Sequence, residues 1–270
     1  MKKNLIITGH DLGLAAAVND GYRYALTKLP RLFSELSIIP NAPHSEEAVK
    51  IAKESGISTN LCFSFTSSML RSLSDAKSLI DKNGVMKRAA TQTWDFSVID
   101  SFAESDVEKE VDAQYQWYLN HFGHKPSALV TQKGEHGDPK ILAPLIALAK
   151  REKLPMRSPF WQWKANYGAQ SLAQSEGIKT TGAVFIAIKD WQGKFGVDLE
   201  TELETLITDA QKAPGVVELL IFTGFCDKDL MAATSVSWQR GQILNILKRK
   251  YYLIERLYEE FNVITYHDLA

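Results

Sequence analysis

His10 and Asp11, adjacent near the start of the chain, are the pair with the most evident chemical capacity. An imidazole beside a carboxylate can act as a general base, or supply ligands to a divalent cation. Further polar groups stand at comparable places: Cys62 with Ser64, Gln132 with His136, and Arg157. Asp, His and Cys all bind divalent transition metals, Cys favouring the softer ions. Trp161 and Trp163 offer faces on which a sugar ring can stack, and a Trp pair serves equally as core or oligomer interface. Each group has a bland alternative. Asp11 suits a turn or a helix N-cap, His136 a solvated loop, Cys62 a small buried side chain, and Arg157 an ion pair with a carboxylate.

The elements that must position these groups alternate between strand and helix patterns almost throughout. Leu5 to Thr8 reads as a short buried strand, stopped by a Gly-bracketed turn that holds His10 and Asp11. Leu36–Ile39, Asn60–Thr66, Ala128–Thr131, Leu154–Arg157, Ala183–Ile188, Val217–Phe222 and Val263–Tyr266 follow as strand candidates. Between them lie helix patterns. Val18–Lys28 is one; another has Ser45 as N-cap; a third opens on the capping box Ser105-Asp106-Val107-Glu108 and ends at Gly123; a fourth starts with Pro139 at its first position. Thr201–Lys212 is amphipathic, and 236–261 reads as the longest helix. The stretch 69–102 is less regular and reads as a lid-like excursion; 160–163 reads as an aromatic loop and Asp190-Trp191-Gln192-Gly193 as a turn. About eight strand candidates alternating with helices, with no linker, repeat or low-complexity segment, imply one α/β domain over 1–270, an irregular (β/α) barrel. An open doubly wound sheet is the alternative. In either architecture the polar groups above fall at strand C-terminal ends, where a small-molecule site forms.

Composition narrows the function classes. The 270 residues are 45% hydrophobic and 23% charged with net charge −1, which disfavours bulk electrostatic binding to nucleic acid or a membrane surface. Two cysteines without metal-finger or redox spacing suit a reducing compartment. The apolar run after Met1-Lys2-Lys3 stops at Gly9, too early for a secretory signal, so a cytoplasmic location is expected. No Gly-x-Gly-x-x-Gly follows the first strand, and neither a Walker A pattern nor a Gly-x-Ser-x-Gly elbow occurs.

With these residues assembled, the chain resembles the YdjC-like family of carbohydrate deacetylases (the ChbG/HpnK group). The motifs that carry the likeness are Gly9-His10-Asp11-Leu12-Gly13-Leu14 with Val18-Asn19-Asp20-Gly21, then Ser34 to Pro43, Leu61 to Thr66, Pro126 to Pro139, Met156-Arg157-Ser158-Pro159, Glu218 to Gly224 and Ile264 to Leu269. The resemblance implies a single-domain distorted (β/α) barrel like the YdjC-like and NodB-like deacetylases. It also implies a divalent metal (Mg or Zn) on one Asp and two His, an Asp base, a His acid, an oligosaccharide ligand and a homodimer.

Carried over residue by residue, the implied site is incomplete. The metal Asp stands as Asp11, but the base position is His10, the two metal His positions are Cys62 and Gln132, and the acid position is Phe222. Gln is a neutral, weak ligand, and a phenyl ring cannot transfer a proton; loss of the acid alone costs ~10²–10⁴-fold in rate. The expectation is a barrel with weak or absent deacetylation and a sugar or small-molecule pocket around His10, Asp11, His136, Arg157 and Trp161. Two alternatives stand beside it. One is a hydrolase rebuilt on Asp11, Cys62 and His136 around a soft metal such as zinc. The other is a structural or partner-binding subunit.

Overall fold

The strand that carries His10 and Asp11 is longer than its sequence pattern implies. In the computed structural model, which describes residues 2–67, 69–88, 97–159, 167–187, 199–234 and 236–269, β1 runs over Lys3–Leu12. It passes through both residues rather than turning before them. Six further strands occur among the described residues: β2 (Glu35–Ile38), β3 (Ser58–Phe63), β4 (Leu129–Thr131), β5 (Ala183–Ile186), β6 (Val217–Ile221) and β7 (Phe261–Val263). Their order is β4–β3–β2–β1–β6–β5, every pair parallel, with β7 beside the first residues of β1. Parallel strands with both faces covered need near-continuous apolar runs, and Leu5, Ile6, Ile7, Leu61, Leu219 and Leu220 supply them as buried core.

The segment 154–157, expected as a strand, contributes only single bridges, yet these close the architecture. Met156 bridges to Leu129 of β4 on one side and to Thr180, just before β5, on the other. The hydrogen-bonded path therefore returns from β4 to β5, as in a distorted (β/α) barrel.

Nine helices cover the sheet among the described residues: α1 (Ala16–Lys28), α2 (Ser45–Ser55), α3 (Glu104–Phe122), α4 (Pro139–Glu152), α5 (Tyr167–Ser175), α6 (Leu199–Lys212), α7 (Lys228–Ala233), α8 (Ser237–Arg249) and α9 (Tyr252–Glu260). Asp138 caps α4 by accepting from the Lys140 amide, with Pro139 behind it, and Gly123 ends α3 at φ +76°.

Three local expectations change. The pattern over 236–261 is two helices, α8 and α9, because the backbone leaves helical geometry at Lys250 (φ −118°, ψ 55°). The Tyr251 and Tyr258 hydroxyls donate to the carbonyls of Pro30 and Arg31, tying α9 to the loop after α1. The capping box at Ser105 does not form: α3 begins at Glu104 without a side-chain cap, and the Asp106 carboxylate accepts from the Ser78 amide instead. Ser45 lies inside α2, where its hydroxyl donates to the Ile39 carbonyl.

The described part of the 69–102 excursion is packed down. Leu70, Ala76, Leu79, Met86, Ile99 and Phe102 are buried, and the buried Glu110 of α3 accepts from the amides of Leu73 and Ser74. The aromatic stretch with Trp161, the turn at 190–193 and residues 89–96 lie outside the described residues. No described helix is long and apolar enough to cross a membrane.

Candidate functional site

The site grows out of an irregularity in β1. Its register against β2 pairs Gly9 with Leu36 but Leu12 with Ile38, so β1 contains one residue more than its neighbour between those points. This is a bulge, a device that re-aims side chains at sheet ends. His10 and Asp11 sit in it, and Asp11 takes the left-handed conformation (φ 71°). Asp is among the few residues that tolerate that region, and such positions persist where the surrounding structure fixes them. The fixing contacts are visible: the Tyr22 hydroxyl donates to the His10 carbonyl at 2.7 Å, and Leu14 donates its amide to the Asp11 carbonyl at 3.1 Å.

Asp11 meets Arg240 of α8. Arg240 Nη2 donates to Asp11 Oδ2 at 2.6 Å, with both side chains buried. Burial alone would raise the Asp11 pKa; His10 and Arg240 outweigh it and hold the carboxyl below its ordinary value, with a smaller contribution from Gln132. Burial lowers the His10 pKa to about 4, so the imidazole is neutral at neutral pH. His10 Nε2 stands 3.6 Å from Asp11 Oδ1, too far for a hydrogen bond. Phe222, following β6, forms the wall of this cluster. His10 meets its ring edge-on at 5.2 Å, and the Arg240 guanidinium lies 5.0 Å from its centre, within cation–π range.

Arg240 is the residue that sequence reasoning missed. Its signal was a charge at helical spacing from Ile243, Leu244 and Leu247, all on the buried side of α8. A charged residue on an apolar face needs a buried partner. A seam of glycines lets α8 approach. A Cβ on Gly21 would lie 2.4 Å from the Gly224 backbone, and one on Gly224 would touch the Arg240 side chain at 3.2 Å.

The remaining expected site residues are placed as follows. Cys62 is buried in β3, and burial pushes its thiol well above the ordinary value, so it is not a ready thiolate. Gln132 Oε1 accepts from Ser64 Oγ at 2.7 Å. His136, expected in a polar loop, is buried and has both ring nitrogens engaged. The Arg157 carbonyl can only accept, so Nε2 carries the proton and Nδ1 accepts from the Thr131 hydroxyl. Its pKa, lowered by burial to about 4, agrees with that neutral tautomer. Arg157 takes the ion-pair alternative: its guanidinium grips Glu218 at 2.7 and 2.8 Å, while Thr8 and Tyr266 donate to the same carboxylate. Glu218, a lone charge in an apolar strand, also went unread. Neither His136 nor Arg157 thus presents its engaged atoms to a ligand, and Trp161 lies outside the described residues.

These residues do not fit a divalent metal. Asp11 is already paired with a guanidinium, Cys62 is a buried thiol, and Gln132 has its carbonyl oxygen occupied by Ser64. Among the described residues no group of three His, Cys, Asp or Glu side chains stands together as a ligand set, so the alternative set of Asp11, Cys62 and His136 is not assembled.

Comparison with known proteins agrees with the fold and the motifs. A chitooligosaccharide deacetylase of Proteus mirabilis (strain HI4320) is 26% identical over 273 residues, covering 98% of each chain. The crystal structure of an Enterococcus faecalis V583 protein named for cellobiose-phosphate cleavage superposes with a TM-score of 0.83 at 20% identity, covering 100% of both chains. An uncharacterized protein of Agrobacterium tumefaciens C58 gives 0.56 at 10% identity, covering 100% of this chain and 89% of its own. The model of the YdjC-like protein family matches residues 4–266, nearly the whole chain, and the chain belongs to that family.

Proposed function

We propose that this chain is a carbohydrate-binding barrel built on the YdjC-like deacetylase scaffold, in which metal-dependent deacetylation is lost or strongly reduced. The observation that carries the reading is the bond from Arg240 to Asp11 at 2.6 Å. The carboxylate that would anchor a metal has its counter-charge supplied by the protein. A buried ion pair in low dielectric does not yield its cation to a divalent ion without leaving the guanidinium unpaired, a loss of ~3–5 kcal/mol. The ligand class follows from the Proteus mirabilis relative, whose name specifies chitooligosaccharides, that is, N-acetylated sugar oligomers. His10 and Phe222 occupy the base and acid positions by resemblance; the phenyl ring has no proton to give a leaving amine, and the neutral buried imidazole is a far weaker acid than an imidazolium.

The test pairs two measurements on the purified protein. Calorimetric titration with N-acetylated chitooligosaccharides is expected to show binding. Acetate release from the same sugars, with zinc, cobalt or magnesium added, is expected to stay at background. Metal-dependent turnover above background overturns the proposal, as does failure to bind any sugar of the series.

A further inference from the structure

A cavity of about 620 Å³ opens between the C-terminal ends of α1 and α2. β2 starts at Glu35 and β3 at Ser58, just beyond its walls, whereas His10 and Asp11 stand at the far end of β1 in the same parallel sheet. The cavity is thus separate from the Asp11 cluster and independent of any sugar bound there. Its volume is that of a small-molecule site. Buried Leu29, Leu32, Phe33 and Ile51 give it an apolar lining.

Two charges border this lining without a counter-charge. Arg31 and Glu54 both line the cavity, yet among the described residues neither forms an ion pair, with the other or with a third group. Arg23, the remaining charge of the lining, is paired with Glu47 at 2.8 Å. Arg31 is preset by its turn. The Leu32 amide donates to the Leu29 carbonyl at 3.2 Å, with Pro30 second in the turn and Arg31 third, at φ 67°. That third position in a type II turn favours Gly. A left-handed Arg persists here because Tyr251 and Tyr258 donate to the carbonyls of Pro30 and Arg31, and the guanidinium lies over the Tyr258 ring at 3.9 Å. Strain of this kind concentrates at ligand clamps. Glu54 stands in the last turn of α2, where the helix's own carbonyls add partial negative charge.

Charge and surface together select the ligand. An anion would satisfy Arg31 but set its charge against Glu54 and two helix C-termini. A cation would satisfy those and meet Arg31. A neutral apolar body would leave both charges to water alone. We propose that this cavity binds a zwitterion with an apolar body, either an apolar amino acid or a short apolar peptide with free ends. Its carboxylate pairs with Arg31, its ammonium with Glu54 and the helix ends, and its side chains pack on Leu29, Leu32, Phe33 and Ile51. Arg31 and Glu54 are exposed, so each ion pair contributes modestly and the apolar contacts supply the rest.

The experiment is titration of the full chain, followed by the shifts of its amide NMR signals. The probes are L-leucine, leucyl-leucine, and leucyl-leucine either acetylated at its amine or amidated at its carboxyl. Leucyl-leucine is expected to saturate with a Kd of ~1 mM or tighter, as its size allows. Each cap is expected to weaken binding ~3–5-fold, the effect of one exposed ion pair. Arg31→Gly suits a left-handed turn position. It is expected to bind the free and the amidated dipeptide equally while still preferring a free amine. Glu54→Gln is expected to bind the free and the acetylated dipeptide equally. L-Leucine binding as tightly as leucyl-leucine supports the proposal with a free amino acid as the ligand; weaker binding supports it with a peptide. Absence of saturable binding by either up to ~20 mM overturns the proposal. So does a capped form that binds the wild-type protein as tightly as the free one, or a cap effect that survives its matching substitution. The wild-type comparison of free and capped dipeptides decides the matter even if a variant does not fold.

Discussion

Arg240 reaches across 229 positions of sequence to donate to Asp11 at 2.6 Å, and both side chains are almost wholly buried. The contact joins α8 to the bulge of β1, so the most strained backbone of the site is held by the helix that supplies its counter-charge. Each partner removed alone strands the other. Arg240→Met is expected to lower stability by ~3–5 kcal/mol, the cost of an uncompensated buried charge. The double variant Asp11→Asn/Arg240→Met is expected to recover more than half of that loss. Urea denaturation of the wild-type, single and double variants gives the coupling directly. Additive losses would mean that the two side chains do not depend on each other.

A second expectation concerns the metal. Cys62→His with Gln132→His restores imidazoles at the two ligand positions implied by the family resemblance, but leaves Asp11 in the hands of Arg240. Zinc is therefore expected to bind stoichiometrically only when Arg240→Ala is added. Elemental analysis after dialysis, compared across the double and triple variants, reads the result. Zinc held equally by the double variant would show that the guanidinium does not compete.

How much of this was legible follows from physical range. β1, β3 and β6 were readable because apolar runs of strand length report burial locally. Pro139 was readable because a ring at the first helical position is local chemistry. The bulge was not: an extra residue is visible only against the register of β2, and the apolar run alone ends one turn too soon. The pairings Arg240–Asp11 and Arg157–Glu218 are separated by 229 and 61 positions. The sequence carried only half of each signal, a charge at an apolar position, and said nothing of its partner. The break at Lys250 was hidden for a similar reason, since Tyr251 and Tyr258 are held by carbonyls far upstream.

The glycine seam makes a third prediction. Gly21→Ala places a methyl 2.4 Å from backbone atoms of Gly224, which cannot swing aside as a side chain can. A loss of ~3 kcal/mol is expected. Gly56→Ala is the control: φ is +65° but nothing lies within 4 Å, so only the left-handed backbone penalty of ~1 kcal/mol applies. Thermal unfolding of the two variants side by side separates close approach from backbone strain. Equal losses would remove the seam as an explanation for how α8 reaches the site.

The last prediction turns on Glu35, buried at the start of β2, whose carboxylate accepts from the Tyr266 amide at 2.9 Å and from the Ser127 hydroxyl at 2.8 Å. Burial raises its pKa from 4.5 to about 7, against those hydrogen bonds, and the Glu218 charge adds to the rise. Between those two values the folded chain keeps a proton that the unfolded chain has released. Stability from this group is therefore full below pH 4.5 and is lost as pH rises through about 7. The loss amounts to roughly 3–4 kcal/mol. Asp11 and Glu218 titrate in the opposite sense, with pKa values lowered in the fold, so their effect lies below this window. Glu35→Gln is neutral throughout and retains an oxygen for the Tyr266 amide. It is expected to be more stable than the wild-type protein at about pH 8 and to lose that advantage near pH 5. Denaturation midpoints at the two pH values read the difference; an advantage that does not change with pH would place the Glu35 carboxyl in its ionised form throughout, held by Tyr266 and Ser127.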